Sequence, residues 1–276
     1  MLQLVRAEEN LWHGKFTIFP EEQVTAVVST RFGGVSHAGF ASLNLALHVQ
    51  DDANAVLENR RRFAHSLGVN LSDFVTVRQI HGARVLHVNE KERGLGALVY
   101  DEHVPEADAM ITDVPQLPLM IFVADCVPIL FYDPQHHAIG LAHAGWKGTA
   151  KCIAQKTVQA MQKAFGTRPE ALCAALGPSI GPCCFTVHED VATVFRKNFP
   201  ACSQAVHVVP VDKSLQVNLW AVNRWQLEEC GLLSRNIENA EVCTVCNHEV
   251  FFSYRASQGK AGRMGICMIL KGKGDA

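Results

Sequence analysis

LPLMIFVADCVPILFYDPQHHAIGLAHAGWKG, residues 117–148, is the stretch whose reading decides the fold. It contains three apolar runs, 117–126, 127–133 and 138–145, separated only by tight turns. Each run is strand-sized and rich in β-branched or aromatic residues, and none has a helical repeat. ADAMITD (107–113) precedes them as a fourth β-type run. Further out, VTAVVST (24–30) reads as a strand entering the glycine turn RFGGVS, and FVTVRQIHG and ARVLHV (74–88) read as a bent strand or hairpin broken at Gly82. LCAALGPSI (172–180), FFSYR (251–255) and RMGICMIL (263–270) complete the expected strands.

Helices are expected at 51–68, 149–166, 188–199 and 214–231. The first starts on an aspartate that can cap it and closes at Gly68, and the second ends at Gly166. Strands cluster between the helices without strict βαβ alternation. A mixed-sheet α+β layered fold is therefore expected, rather than a doubly wound parallel one. No linker, repeat or low-complexity tract divides residues 1–276, which read as one domain.

Composition excludes several functions. Hydrophobic residues make up 48% and charged residues 19%, enough for a large core and too apolar for disorder. The formal charge of −2, with both signs interspersed, offers no basic stripe for nucleic acid. No apolar run reaches the roughly 18–20 residues that span a bilayer. The start, MLQLVRAEENLW, carries acids where a signal peptide has its apolar region. The expectation is a soluble, cytoplasmic protein, monomeric by default. Ten cysteines at irregular spacing do not make a disulfide framework. Cys152, Cys173, Cys230 and Cys267 sit in apolar patterns and read as small buried hydrophobes.

The chemistry concentrates on His81 in RQIHG, Cys126 in VADCVP and His143 in LAHAGWKG. Each lies where an apolar run gives way to small residues or proline. Two imidazoles and a thiolate suit zinc, and three protein ligands leave the fourth position for water or substrate, as in catalytic sites. Taken singly, His143 reads as a core histidine and Cys126 as a buried thiol; the trio is what raises the metal reading. Asp125, beside Cys126, is a carboxylate inside IFVADCVPIL and is costly to bury unless it is paired or used.

Other features keep two readings open. HAGWKGT (143–149) lacks the spacing of a nucleotide phosphate loop, but Gly145 and Gly148 either admit a ligand to the backbone or serve a turn. Arg31 and Asn44 are polar groups in an apolar region, which either bind an anion or sugar or satisfy a loop. GPSIGPCCF (177–185) is a rigid loop with vicinal Cys183 and Cys184. Cys243-x-x-Cys246 is half of a zinc ribbon or a redox pair, with His248 nearby and no second such motif.

STRFGGVS, FASLNL, VQDD with ENRRR, RQIHG, TDVPQLPLMIFVADCVPIL, HAGWKGT and GPSIGPCCF, in this order, resemble the signature blocks of the YfiH-like family. Its members are also called multicopper polyphenol oxidases or laccase-domain proteins. The resemblance spans residues 25–270 and implies αββα-like layers, with His81, Cys126 and His143 as zinc ligands. It also implies phosphorolysis of adenosine, inosine, guanosine and methylthioadenosine, and deamination of adenosine to inosine. The substrates would be a purine nucleoside and phosphate. Asp125 is then the candidate proton carrier, and Arg31, Asn44, Gly145 and Arg263 are candidate substrate contacts. After FFSYR the family often has a second arginine where this chain has Ala256; Arg255 and Arg263 are cations able to replace it.

Three rivals remain: a copper-dependent phenol oxidase, a hydrolase with Cys126 as nucleophile and His143 as base, and a non-catalytic zinc module. Thirteen histidines without HxH pairs are a poor supply for several coppers.

Overall fold

The computed structural model describes residues 2–101, 103–209 and 213–272. A five-stranded sheet is built from β1 (Gln3–Glu8), β2 (Leu11–Lys15), β3 (Val24–Ser29), β6 (Leu119–Val123) and β14 (Met264–Leu270). Its order is β1-β2-β3-β14-β6, antiparallel throughout. A six-stranded sheet contains β4 (Val85–His87), β5 (Ala109–Thr112), β7 (Val127–Asp133), β8 (Ala138–Ala144), β9 (Cys173–Leu176) and β13 (Ile237–Asn239). It runs β13-β9-β7-β8-β5-β4 and is mixed, because β13 and β4 pair in parallel with β9 and β5. A small sheet joins β10 (Thr186–Val187), β11 (Val206–Val208) and β12 (Leu215–Val217). The helices are α1 (Ala53–Ser66), α2 (Trp146–Ala150), α3 (Ile153–Phe165), α4 (Glu189–Asn198) and α5 (Leu219–Glu229).

Alternation along the central strands sets the layers, since neighbouring strand residues face opposite ways. Leu130, Tyr132, Ile139 and Leu141 of the six-stranded sheet meet Val28, Ile121, Ile266 and Met268 of the five-stranded sheet. Ile129, Phe131, Ala142 and Ala144 turn the other way, onto α3 and α5 through Ile153, Val158 and Val222. Met120, Phe122, Cys267 and Ile269 face Phe63 of α1. The order is helix, sheet, sheet, helices: the mixed α+β layering expected. With both faces covered, the central strands are apolar on both sides, which explains the unbroken hydrophobic run that opened the sequence reading.

Helix α1 is capped as expected, the Asp52 carboxylate accepting from the Ala55 N–H at 2.8 Å. Three expectations need correction. The helix over 149–166 is two helices, because Cys152 sits at φ +61° between α2 and α3. The helix over 214–231 starts only after Asn218, whose side chain accepts from the Ala221 N–H; Leu215–Val217 before it is β12. FFSYR is not a strand: Tyr254 and Arg255 lie in turns, and no described strand pairs with it. FVTVRQIHG is also weaker than expected, joining its neighbours only by isolated bridges at Val75 and Arg78. The hairpin β1–β2 carried no sequence signal that singled it out.

Candidate metal centre

Cys126 lies where the chain leaves β6 in one sheet and enters β7 in the other. His143 is near the end of β8, opposite Pro128 in the ladder. His81 follows Gln79, whose side chain makes two 2.8 Å hydrogen bonds to the main chain of Phe122 and so fastens the 78–82 segment to β6. The imidazole nitrogens of His81 and His143 and the Cys126 sulfur lie within 4.8 Å of one another. The two rings meet edge to face at 4.8 Å between centroids. His81 itself has φ +57° and Asp125 φ +83°, conformations uncommon for side-chain-bearing residues and concentrated at functional sites. Gly145 is required here: a Cβ on it would come within 2.9 Å of the Cys126 sulfur and 3.1 Å of the His81 ring.

Asp108 organises the trio and was missed in the sequence. Fully buried, it accepts from His143 Nδ1 and the His81 N–H, both at 2.9 Å, and from the Gly82 N–H at 2.6 Å. A Nδ1–H donated to Asp108 leaves Nε2 of His143 to face the cleft, as in carboxylate–histidine–metal arrangements. Burial works against the charged forms at all three groups. Burial would lower His143, but the Cys126 charge and Asp108 raise it to about 9. Burial would raise Cys126, but the two histidines bring it down to about 6. Burial would raise Asp108 as well; His143 and the N–H donors of Gly82 and His81 hold it below the usual carboxylate range. The metal-free pair is thus thiolate and imidazolium near neutral pH. A soft thiolate with two imidazoles fits zinc, and fits copper as a second choice.

The trio lines a cleft of about 970 Å³, large enough for a nucleoside. Phe185, Trp146 and Tyr254 supply aromatic wall, and Lys147, Arg255 and Arg263 supply cations. His48 also faces the cleft; burial and the nearby Arg263 and Arg60 lower it to about 4, so it is neutral at pH 7. Its signal, a histidine in the apolar run LNLALHV, resembled that of a core residue.

The remaining expected residues divide by position. Asp125 lines the cleft, its carboxylate accepting from Thr244 Oγ1 at 2.6 Å and the Arg255 N–H at 2.7 Å. Arg263 lines the cleft with its guanidinium over the Tyr254 ring, at 5.4 Å from the centroid. Asn44 is fully buried and reaches the site only through Arg263, whose N–H it accepts at 2.9 Å. Arg31 turns its guanidinium to the carbonyls of Ala41 and His248, over Phe252. Thr149 is buried and its N–H serves the Gly145 carbonyl inside α2, which starts at Trp146 rather than at 149. Beside Ala256, Arg255 donates to the carbonyls of Cys184 and Thr186.

Two nitrogens and a sulfur converging on a cleft, with a buried carboxylate behind one imidazole, have the form of a metal centre open to substrate rather than a closed structural one. The chain belongs to the family described as multi-copper polyphenol oxidoreductase laccase, which it matches over residues 25–271. It is 39% identical over 245 residues to "Purine nucleoside phosphorylase YlmD" of Geobacillus stearothermophilus, covering 89% of each chain. It is 34% identical to "Adenosine deaminase RL5" from an unknown prokaryotic organism, over 88% of this chain and 92% of the relative. The crystal structure of YlmD from Geobacillus stearothermophilus superposes with a TM-score of 0.89 at 35% identity, covering 98% of this chain and 99% of that one. The Bacillus licheniformis hypothetical protein YfiH superposes at 0.88 with 36% identity, covering 97% and 99%.

Proposed function

We propose that the chain is a zinc-dependent purine nucleoside enzyme. In this reading it cleaves adenosine, inosine, guanosine and methylthioadenosine with phosphate, and deaminates adenosine to inosine. The observation that carries it is the convergence of His81, Cys126 and His143 on a nucleoside-sized cleft, in a chain whose relatives are named for these two activities.

His81, Cys126 and His143 would hold the zinc. When bound, the ion supplies a Lewis acid and lowers the pKa of water to about 7. In phosphorolysis the C1′–N9 bond breaks, a phosphate oxygen bonds to C1′, and the electron pair left on the purine needs a proton or a positive field. Phe185, Trp146 and Tyr254 offer faces on which a purine stacks. Arg263 and Lys147 are the cations placed to hold phosphate. In deamination water adds at C6 and ammonia leaves, so a proton must move from the water to the amino group. Asp125 is the first candidate for that transfer: two donors fix its carboxylate, and two further lone-pair directions remain. His48 is the second, as a neutral imidazole on the same cleft.

The test follows adenosine by chromatography with and without phosphate. Adenine appearing only with phosphate, inosine appearing regardless, and both vanishing in His81→Ala are the expected results. Adenosine left intact by metal-replete protein would overturn the reading, and oxidation of a phenol by copper-loaded protein would favour the oxidase. Asp125→Asn with undiminished deamination would pass the proton-transfer role to His48.

A further inference from the structure

A second group of ligands lies outside the cleft. The sulfurs of Cys183, Cys184, Cys243 and Cys246 all fall within 4.8 Å of one another. They come from two segments far apart in the chain that the fold lays side by side. Ser179 donates its N–H to Val242 O at 3.1 Å, and Thr244 returns one to Ser179 O at 3.0 Å, so GPSIGPCCF runs alongside the start of CTVC. Cys183 and Cys184 occupy a turn that brings both sulfurs to Cys246, at 3.8 and 3.5 Å. A tetrahedral zinc with bonds of about 2.3 Å to sulfur places its ligands about 3.8 Å apart. A disulfide needs about 2.0 Å. The two separations to the Cys246 sulfur lie near the first value and far from the second.

Backbone donors converge on one of the four sulfurs. Gly181 donates its N–H to the Cys243 sulfur at 3.3 Å. The N–H groups of Val245 and Cys246 point at the same sulfur, the donor arrangement of a metal-binding knuckle. Gly181 admits this approach, since a Cβ there would lie 3.1 Å from Cys243 Cβ and 3.2 Å from the Cys183 sulfur. The Arg255 guanidinium holds the Cys184 and Thr186 carbonyls and sets a positive charge beside the cluster. Four thiolates around one cation leave no open position, which marks a structural site.

We propose that Cys183, Cys184, Cys243 and Cys246 form a second metal site, a closed tetrathiolate that takes a zinc ion. The site ties the 177–186 loop to the turn after Cys243. Both segments serve the cleft: Phe185 and Thr186 line it, and Thr244, between the two Cys243-x-x-Cys246 ligands, anchors Asp125. The two sites share no ligand, so the second stands or falls apart from the nucleoside reading.

The experiment compares wild type, His81→Ala/His143→Ala and Cys243→Ser/Cys246→Ser, purified under reducing conditions and dialysed. Zinc per chain is measured first, then cobalt(II) is substituted and its spectrum recorded. Two equivalents in wild type and one in each variant are expected. The histidine variant, carrying cobalt, should show the visible bands and sulfur-to-cobalt charge transfer of a tetrathiolate. Should the cysteine variant fail to fold, the cobalt spectrum of the histidine variant still decides. A histidine variant without metal, or with cobalt that lacks thiolate bands, would overturn the proposal. So would titration finding these four sulfurs as disulfides in the native protein.

Discussion

Asp108→Asn probes the centre where it is most exposed to a single atom. The carboxylate oxygens of Asp108 face donors only: His143 Nδ1 and the His81 N–H on one, the Gly82 and Ile80 N–H groups on the other. An asparagine supplies one acceptor and one donor. Whichever way the amide lies, its NH2 meets donors on one side, and at least one buried hydrogen bond becomes a repulsion. An unsatisfied buried donor costs about 1–3 kcal/mol, and losing charge assistance on the rest removes about 1 kcal/mol more, so about 2–4 kcal/mol is at stake. Part appears as lost fold stability. The rest appears in the metal, because His81 and His143 lose the group that orients them, and zinc affinity should fall about 10–100-fold. Competition with a chromophoric chelator measures this, and urea unfolding of the same samples measures the remainder. Asp108 touches none of the four clustered cysteines, so any difference from wild type belongs to this centre. Affinity within about twofold of wild type, with unchanged stability, would refute the orienting role.

Other outcomes follow from neighbouring residues. Gly145→Ala drives a methyl against Cys126 and His81, and overpacking of about 1–3 kcal/mol should weaken zinc about tenfold or more while the fold survives; chelator competition reads it, and unchanged affinity would mean the loop yields freely. Arg60 is 1% exposed and gives the Leu45 and Ala97 carbonyls hydrogen bonds at 2.7 and 2.6 Å. Arg60→Ala removes those donors and leaves a hole under Phe122, so urea unfolding should show a loss of about 3–5 kcal/mol; a loss below about 1 kcal/mol would show water replacing the guanidinium. In chelated protein the Cys126–His143 pair sets a pH window. His143, held above its ordinary 6.5, contributes stability that is complete below pH 6.5 and is lost as pH rises through about 9. Cys126, held below its ordinary 9.0, contributes stability that is complete above pH 9 and is lost as pH falls through about 6. The two dependences run in opposite senses and cancel between about 6.5 and 9, so the unfolding free energy should stay level across that range, and Cys126→Ser, which removes one of them, should change the profile. A wild-type profile no different from that of the variant would contradict the ion pair.

Much of this was legible in the chain because the physics is local. Strand-sized apolar runs around 117–145 required a sheet covered on both faces, and His81, Cys126 and His143 bear ligand atoms at the ends of such runs. Asp125 stood out as a carboxylate in an apolar context. Asp108 in ADAMITD met the same criterion, and only the tertiary contact to His143 distinguishes its role. Arg31 and Asn44 were polar in apolar surroundings too, but their atoms are spent on carbonyls and on Arg263; a sequence does not say whether a buried polar group is satisfied or aimed at a ligand. LQVNLW fits strand and helix periods alike, and pairing with β10 and β11 decided for the strand. Cys183 and Cys246 are 63 residues apart, so neither half of the four-sulfur cluster announced the other.

The step of the chain from β6 to β7 has a thermodynamic consequence. Because Cys126 sits on the seam between the two sheets and His143 on one of them, any cation held there also reports on how the sheets are registered against each other. Linkage is reciprocal: an ion at about 100 times its Kd adds about 2.7 kcal/mol to stability, and whatever shifts the packing between the sheets must change the ion's affinity in return. Substitutions at Leu130 or Ile266, which never approach the proposed ion, would thereby adjust the affinity for it.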